Sequence, residues 1–229
     1  RGSDCVSGEL GRGTMEMLIA QPISRMQFLH SHTFVTVAGV VLITLGTFVG
    51  VWLGIELTVV HEKIYPTVQL PFFQEELPLP FMTAEERHTP MREKANLMLF
   101  VPAACNYLAF GIMLSGLTAF MSSWDRYRWR TIGIITAFHI CQVLTKLLGM
   151  ASTDFSWVLY LSIYSAYEPE VAVRIADVQP ESVWQFWVNM DGMVVLGTSG
   201  YCSILLAFGI MGFLAAGKVF KNRDLPAPT

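Results

Sequence analysis

Five polar residues interrupt or end long apolar stretches of the chain, where a side chain that hydrogen-bonds or ionises is costly and therefore informative. His139 lies in the middle of one stretch, Gln142 falls on the same helical face, and Lys146 follows one turn later. Asn106 sits near the middle of a second stretch, and Glu56 near the end of a third. A haem-binding bundle needs two facing axial ligands. Of the 5 histidines only His139 lies inside an apolar stretch, so a bis-histidine haem is disfavoured. A proton relay through His139 and Lys146 is one reading, although a lysine can also extend its ammonium to the membrane surface. Interhelical hydrogen bonding by His139 is the simpler one.

Other chemistry is weakly represented. No GxSxG, HExxH or GxxxxGK[ST] pattern occurs, so neither a hydrolytic centre nor a nucleotide-binding loop is indicated. His61-Glu62 and Glu85-Glu86 with His88 could bind a metal loosely, but such pairs in an acidic loop are common. The 4 cysteines, Cys5, Cys105, Cys141 and Cys202, are far apart and form no CxxC, which reads as small buried side chains.

The elements that position these residues follow from composition. Of 229 residues, 53% are hydrophobic and 14% charged, and the mean hydropathy is +0.47. The apolar residues collect in blocks rather than alternating. A bilayer core about 30 Å thick takes about 20 helical residues, and four blocks are long enough: 33–58, 96–122, 131–150 and 192–217. After the third, Asp154 favours a break followed by a short re-entrant helix at 153–166 over one long tilted helix. A soluble domain and a disordered chain are excluded. The net charge of -3 leaves no basic face for nucleic acid.

Sorting charges by side orients the spans. Residues 1–32, the loop SSWDRYRWR and the tail after Gly217 hold nine basic and five acidic residues; the other side holds the remaining 6 of 15 basic and 13 of 18 acidic. Both ends of the chain are therefore expected in the cytoplasm. The outer segment 61–94 carries Pro66, Pro71, Pro78, Pro80 and Pro90 and reads as an extended loop. In the outer segment 168–190, Val183, Trp184, Trp187 and Val188 suggest an amphipathic interfacial helix. Gly46, Gly50 and Gly54 form a GxxxGxxxG face for close helix packing, and Ser199, Ser203 and Ala207 repeat that spacing in the last span.

The most specific stretch precedes the first span. Thr14 can N-cap a short helix with Glu16 in its first turn and Met15, Leu18 and Ile19 on its apolar face. Pro22 interrupts it, and Ser24 with Gln27 forms a capping box that starts a second helix through Phe28 and His32 into the span. Such a helix, break and long helix suit a lever presented to a partner, or an interfacial anchor.

Glu9, Gly13, Thr14, Glu16, Leu18, Pro22, Ser24 and Arg25 fill the pattern E-x-x-x-G-T-x-E-x-L-L-x-x-P-x-S-R, with Ile19 at the second Leu position. The segment thereby resembles the signature of ABC-2 type transporter permeases, the membrane subunits of ATP-binding cassette exporters. Phe220, Arg223, Asp224 and Leu225 are similar to the F-x-x-R-D-L ending of that family, including permeases of the nitrous-oxide-reductase maturation type. The resemblance implies an all-α polytopic membrane protein whose four transmembrane helices are helices three to six of a six-helix permease, with interfacial helices besides. It implies a cytoplasmic coupling segment at 1–32, a transmembrane domain at 33–221 and a cytoplasmic tail at 222–229. The eight signature residues would contact a separate ATPase subunit that binds ATP and Mg, this chain holding no cofactor and catalysing no reaction itself. A second permease copy, identical or not, would complete the path in the inner or plasma membrane. Two helices expected before Glu9 are not in the chain, which suggests a truncated product or a split permease. The competing expectation is a membrane-anchored redox or metal-handling protein using His139 and the outer histidines.

Overall fold

The computed structural model describes residues 6–8, 24–64, 67–69, 76–78, 85–125, 127–190 and 192–222. The chain divides into two compact units, Arg1–Leu45 with Leu99–Thr229, and Gly46–Met98. Four helices are long and apolar enough to cross a membrane: Met26–Leu57, Leu97–Trp124, Arg128–Ala151 and Thr198–Asn222. This is the pattern of a multi-pass membrane protein.

Helix α1 covers Arg25–Leu57 and is shared by the two units. It starts on the reciprocal bonds of a capping box. The Ser24 N–H donates to Gln27 Oε1 at 2.9 Å, and the Gln27 N–H donates to Ser24 Oγ at 3.2 Å. The first unit continues with α2 (Val101–Trp124) and α3 (Arg128–Ala151), joined by a tight connection in which Asp125 pairs with Arg130 at 3.1 Å. At Ser152 the backbone becomes extended and α3 stops. Two 3-10 helices, Thr153–Leu161 and Ile163–Ala166, then lead to α4 (Pro169–Val178). Last comes α5 (Thr198–Asn222).

Lipid tails are as apolar as leucine, so spanning helices associate by close van der Waals contact rather than by leaving water. Here α2 and α5 supply that contact. A Cβ at Gly116 would overlap the carbonyl of Gly209, and one at Gly209 would lie 2.9 Å from the carbonyl oxygen of Ile112. Met113 and Leu205 are completely buried beside this crossing, with Ala109 and Ala166. Gly46, Gly50 and Gly54 face open space instead, with nothing within 4 Å of a Cβ built at any of them. Ser203 and Ala207 are likewise exposed on α5. Among the described residues the close approach within the chain is made by Gly116 and Gly209.

Two expectations need correction. No helix forms around Trp184 and Trp187: Trp184 lies in a turn, and Trp187 opens β5 (Trp187–Met190), which pairs antiparallel with β6 (Met193–Leu196). Trp187 is exposed and Val188 buried, Asn189 exposed and Met190 buried, so the period is two and not 3.6. Gly192, at φ 80°, turns the hairpin, and for that reason the last helix begins at Thr198 rather than 192. The amphipathic helix of this segment is α4 instead, with Ala172 buried and Ile175 and Ala176 packed in one buried cluster with Val183 and Val188.

In the second unit, the described stretches between 59 and 90 are paired strands rather than loose loop. Numbering the strands in chain order, β1 (Val59–Ile64) runs antiparallel to β4 (Glu85–Pro90), and β2 (Thr67–Gln69) to β3 (Glu76–Pro78). Pro78 and Pro90 each end a strand, where a missing N–H is tolerated. Glu62 faces Arg87 across the ladder, Lys94 pairs with Glu62, and Arg92 lies 3.9 Å from Glu56. Among the described residues the fold is thus mostly helical, as expected, with three small two-stranded sheets besides.

Candidate functional site

A 3-10 segment leaves carbonyls and N–H groups without the partners of a regular helix, and where the surroundings are apolar they must be satisfied by protein. Residues 159–168 solve this with the polar side chains that stand out in the apolar stretches. Asn106 on α2 is fully buried; its Nδ2 donates to the Ala166 carbonyl at 3.1 Å, and its Oδ1 accepts from the Glu168 N–H at 3.1 Å. Gln142 on α3 accepts the Ile163 N–H on Oε1 at 2.8 Å, while its own carbonyl accepts the Ser162 hydroxyl at 2.9 Å. Ser165 Oγ donates back to the Leu159 carbonyl at 2.7 Å.

Lys146 is the centre of the arrangement. Its ammonium donates to the Tyr164 carbonyl at 3.1 Å, to the Tyr167 carbonyl at 3.0 Å, and pairs with Glu168 Oε1 at 2.8 Å. Three donors thus meet three acceptors. Phe110 stacks on Tyr167 with ring centroids 4.4 Å apart and meets Tyr164 edge-on at 5.0 Å. Burial, and then the neighbouring Tyr107, push the Tyr167 phenol above its ordinary range, so it stays protonated at neutral pH.

His139 is brought to the same place but bonded differently. Its ring lies 5.9 Å from that of Tyr164, and its Nδ1 is buried without a hydrogen-bond partner among the described residues. Asn106, Gln142 and Lys146 therefore hold the irregular segment, and His139 is the member left with an unsatisfied polar atom. Beside them is a cavity of about 720 Å³, within the range of small-molecule sites. Ser162, Ser165, Glu168 and Tyr201 are among its polar walls, and Ile163, Ile204 and Phe208 among its apolar ones. Glu168 and Tyr201 carry no sequence signal as site residues. The one hint is that Glu168 precedes Pro169, a helix-start position.

The second region lies where α1 begins and α5 ends. The N–H groups of Val6 and Ser7 both donate to Ser122 Oγ at 3.1 Å, near the end of α2. Thr131 Oγ1, at the start of α3, donates to Ser7 Oγ at 3.4 Å. Val6, Leu29 and Phe220 form a buried cluster with Phe28 against it. Of the signature residues, Glu9, Gly13, Thr14, Glu16, Leu18 and Pro22 lie outside the described residues, as does the side chain of Arg25; Ser24 caps α1. The two flanks of 9–23 are nevertheless fixed on the same helix ends.

Among the outer histidines, His61 and His88 are cross-strand partners with ring centroids 4.5 Å apart. No group of three His, Cys, Asp or Glu that could hold a metal occurs among the described residues. Cys105, Cys141 and Cys202 are free thiols. Compared with family models, curated proteins and solved structures, the chain matches none of them.

Proposed function

We propose that the chain is the membrane subunit of an ABC-2 type exporter, forming part of the translocation path and drawing its energy from a separate ATPase subunit. The reading rests on the residues Glu9 to Arg25, and one observation carries it further: the flanks of that segment are tied to the ends of the spanning helices. Val6 and Ser7 hold one flank to α2, while the capping box and Leu29 hold the other to α1 and, through Phe220, to α5. A partner that displaces residues 9–23 therefore loads several helices at once. ATP and Mg belong to the partner, and this chain answers by rigid movement of α1. The basic balance on that side puts both chain ends in the cytoplasm. A second permease copy completes the path. The cavity beside Glu168 and Tyr201 suits a largely apolar cargo with one polar end.

The test is to substitute Glu16→Ala and Arg25→Ala and measure retention of the co-expressed ATPase subunit together with transport. Loss of an interface anchor weakens binding about tenfold or more, so both readouts are expected to fall. Unchanged retention and transport in both variants would remove the coupling role.

A further inference from the structure

Between the start of α1 and the end of α5 lies a cavity of about 350 Å³. Its walls are of two kinds. Leu29, Phe213 and Leu214 present apolar atoms, whereas His30, Lys218 and Lys221 present polar heads. Along α5, Phe213 and Leu214 lie one to two turns inward of the lysines. The cavity is thus apolar toward the middle of the span and cationic toward its end. Gly217 sets the spacing: a Cβ there would stand 3.3 Å from Met26 Cε and 3.9 Å from Leu29 Cδ2, so the missing side chain lets α1 come near.

Charge decides what fits. Arg92, Lys94, Arg130 and Lys146 each have a carboxylate partner. Lys218 and Lys221 have none among the described residues, and no acidic side chain lines the cavity. Two ammonium groups without a carboxylate partner among the described residues stand at the end of a span, and with an apolar slot running inward they match a molecule that has an anionic head and a hydrocarbon tail. We propose that this cavity binds one anionic phospholipid, its phosphate between Lys218 and Lys221 and an acyl chain along Leu29, Phe213 and Leu214. Basic pockets between spanning helices hold anionic headgroups in this way. A free phosphate would leave the apolar wall uncovered, and a zwitterionic lipid would bring its own cation to the lysines. The assignment does not depend on what the chain transports.

Native mass spectrometry of the full chain in detergent tests it, with phosphatidylglycerol and phosphatidylcholine titrated separately. The wild-type protein is expected to retain one phosphatidylglycerol with about tenfold preference over phosphatidylcholine, from the two lysines. The Lys218→Gln, Lys221→Gln double variant should lose that preference, and Lys94→Gln should keep it. Inorganic phosphate at millimolar concentration should not displace the lipid. Equal retention of both lipids by the wild-type protein would overturn the proposal without recourse to any variant. An undiminished preference in the double variant would overturn it too, as would displacement of the lipid by inorganic phosphate.

Discussion

An ammonium inside an apolar helix costs several kcal/mol unless it is paired, and Lys146 meets three acceptors within 3.1 Å. Its loss strands more than the loss of Glu168. Lys146→Met leaves a carboxylate and two carbonyls without their donor, whereas Glu168→Gln leaves an amide oxygen that still accepts. We expect Lys146→Met to lower Tm at least about twice as far as Glu168→Gln, measured by thermal unfolding in detergent. Equal losses would mean that the ion pair alone matters. Asn106→Leu removes the partners of the Ala166 carbonyl and the Glu168 N–H, so it should cost about 2 kcal/mol, a Tm fall of roughly 4–8 °C. At this scale the sequence identified Asn106, Gln142 and Lys146 by their contrast with apolar neighbours. It could not show their partners, because those are mostly backbone groups as many as 62 residues away, and a backbone group has no sequence signature.

Among elements, the spanning helices were legible because length and hydropathy alone define them, and Ser24 with Gln27 marked where α1 starts. The hairpin of β5 and β6 carries a sequence signal too, in Asp191-Gly192 between alternating residues, but the spacing of Val183, Trp184, Trp187 and Val188 imitates a helical period over the same stretch. Helix pairing was less readable, since many glycines have helical spacing and only the tertiary fold selects which ones touch. That selection makes a sharp contrast. Gly116→Ala drives a methyl into the Gly209 carbonyl and should cost about 1–3 kcal/mol, whereas Gly50→Ala meets open space and should shift stability by less than about 0.5 kcal/mol. Comparing the two melting curves checks this, and a tolerated Gly116→Ala would refute the α2–α5 contact.

At the scale of the whole molecule, the flanks of the proposed docking segment are held at one end of the spans, while the irregular segment and its cavity lie toward the other. The proposed orientation rests on basic side chains clustering around the connection between α2 and α3 and around the end of α5. In a background with Cys5, Cys105, Cys141 and Cys202 replaced by serine, a cysteine at Tyr127 should be protected from a membrane-impermeant thiol reagent in intact cells. One at Ser182 should react. The reverse pattern would invert the topology and remove the coupling segment from the cytoplasm. The proposed partner segment stands out only through the spacing of Glu9 to Arg25, since a docking segment has no core of its own to leave a hydrophobic period. The most direct test places a photoreactive amino acid at Glu16 in the chain co-expressed with its ATPase subunit. The account predicts a cross-link to the ATPase from position 16 and none from Trp184. No cross-link from position 16, or equal yields from both positions, would contradict it.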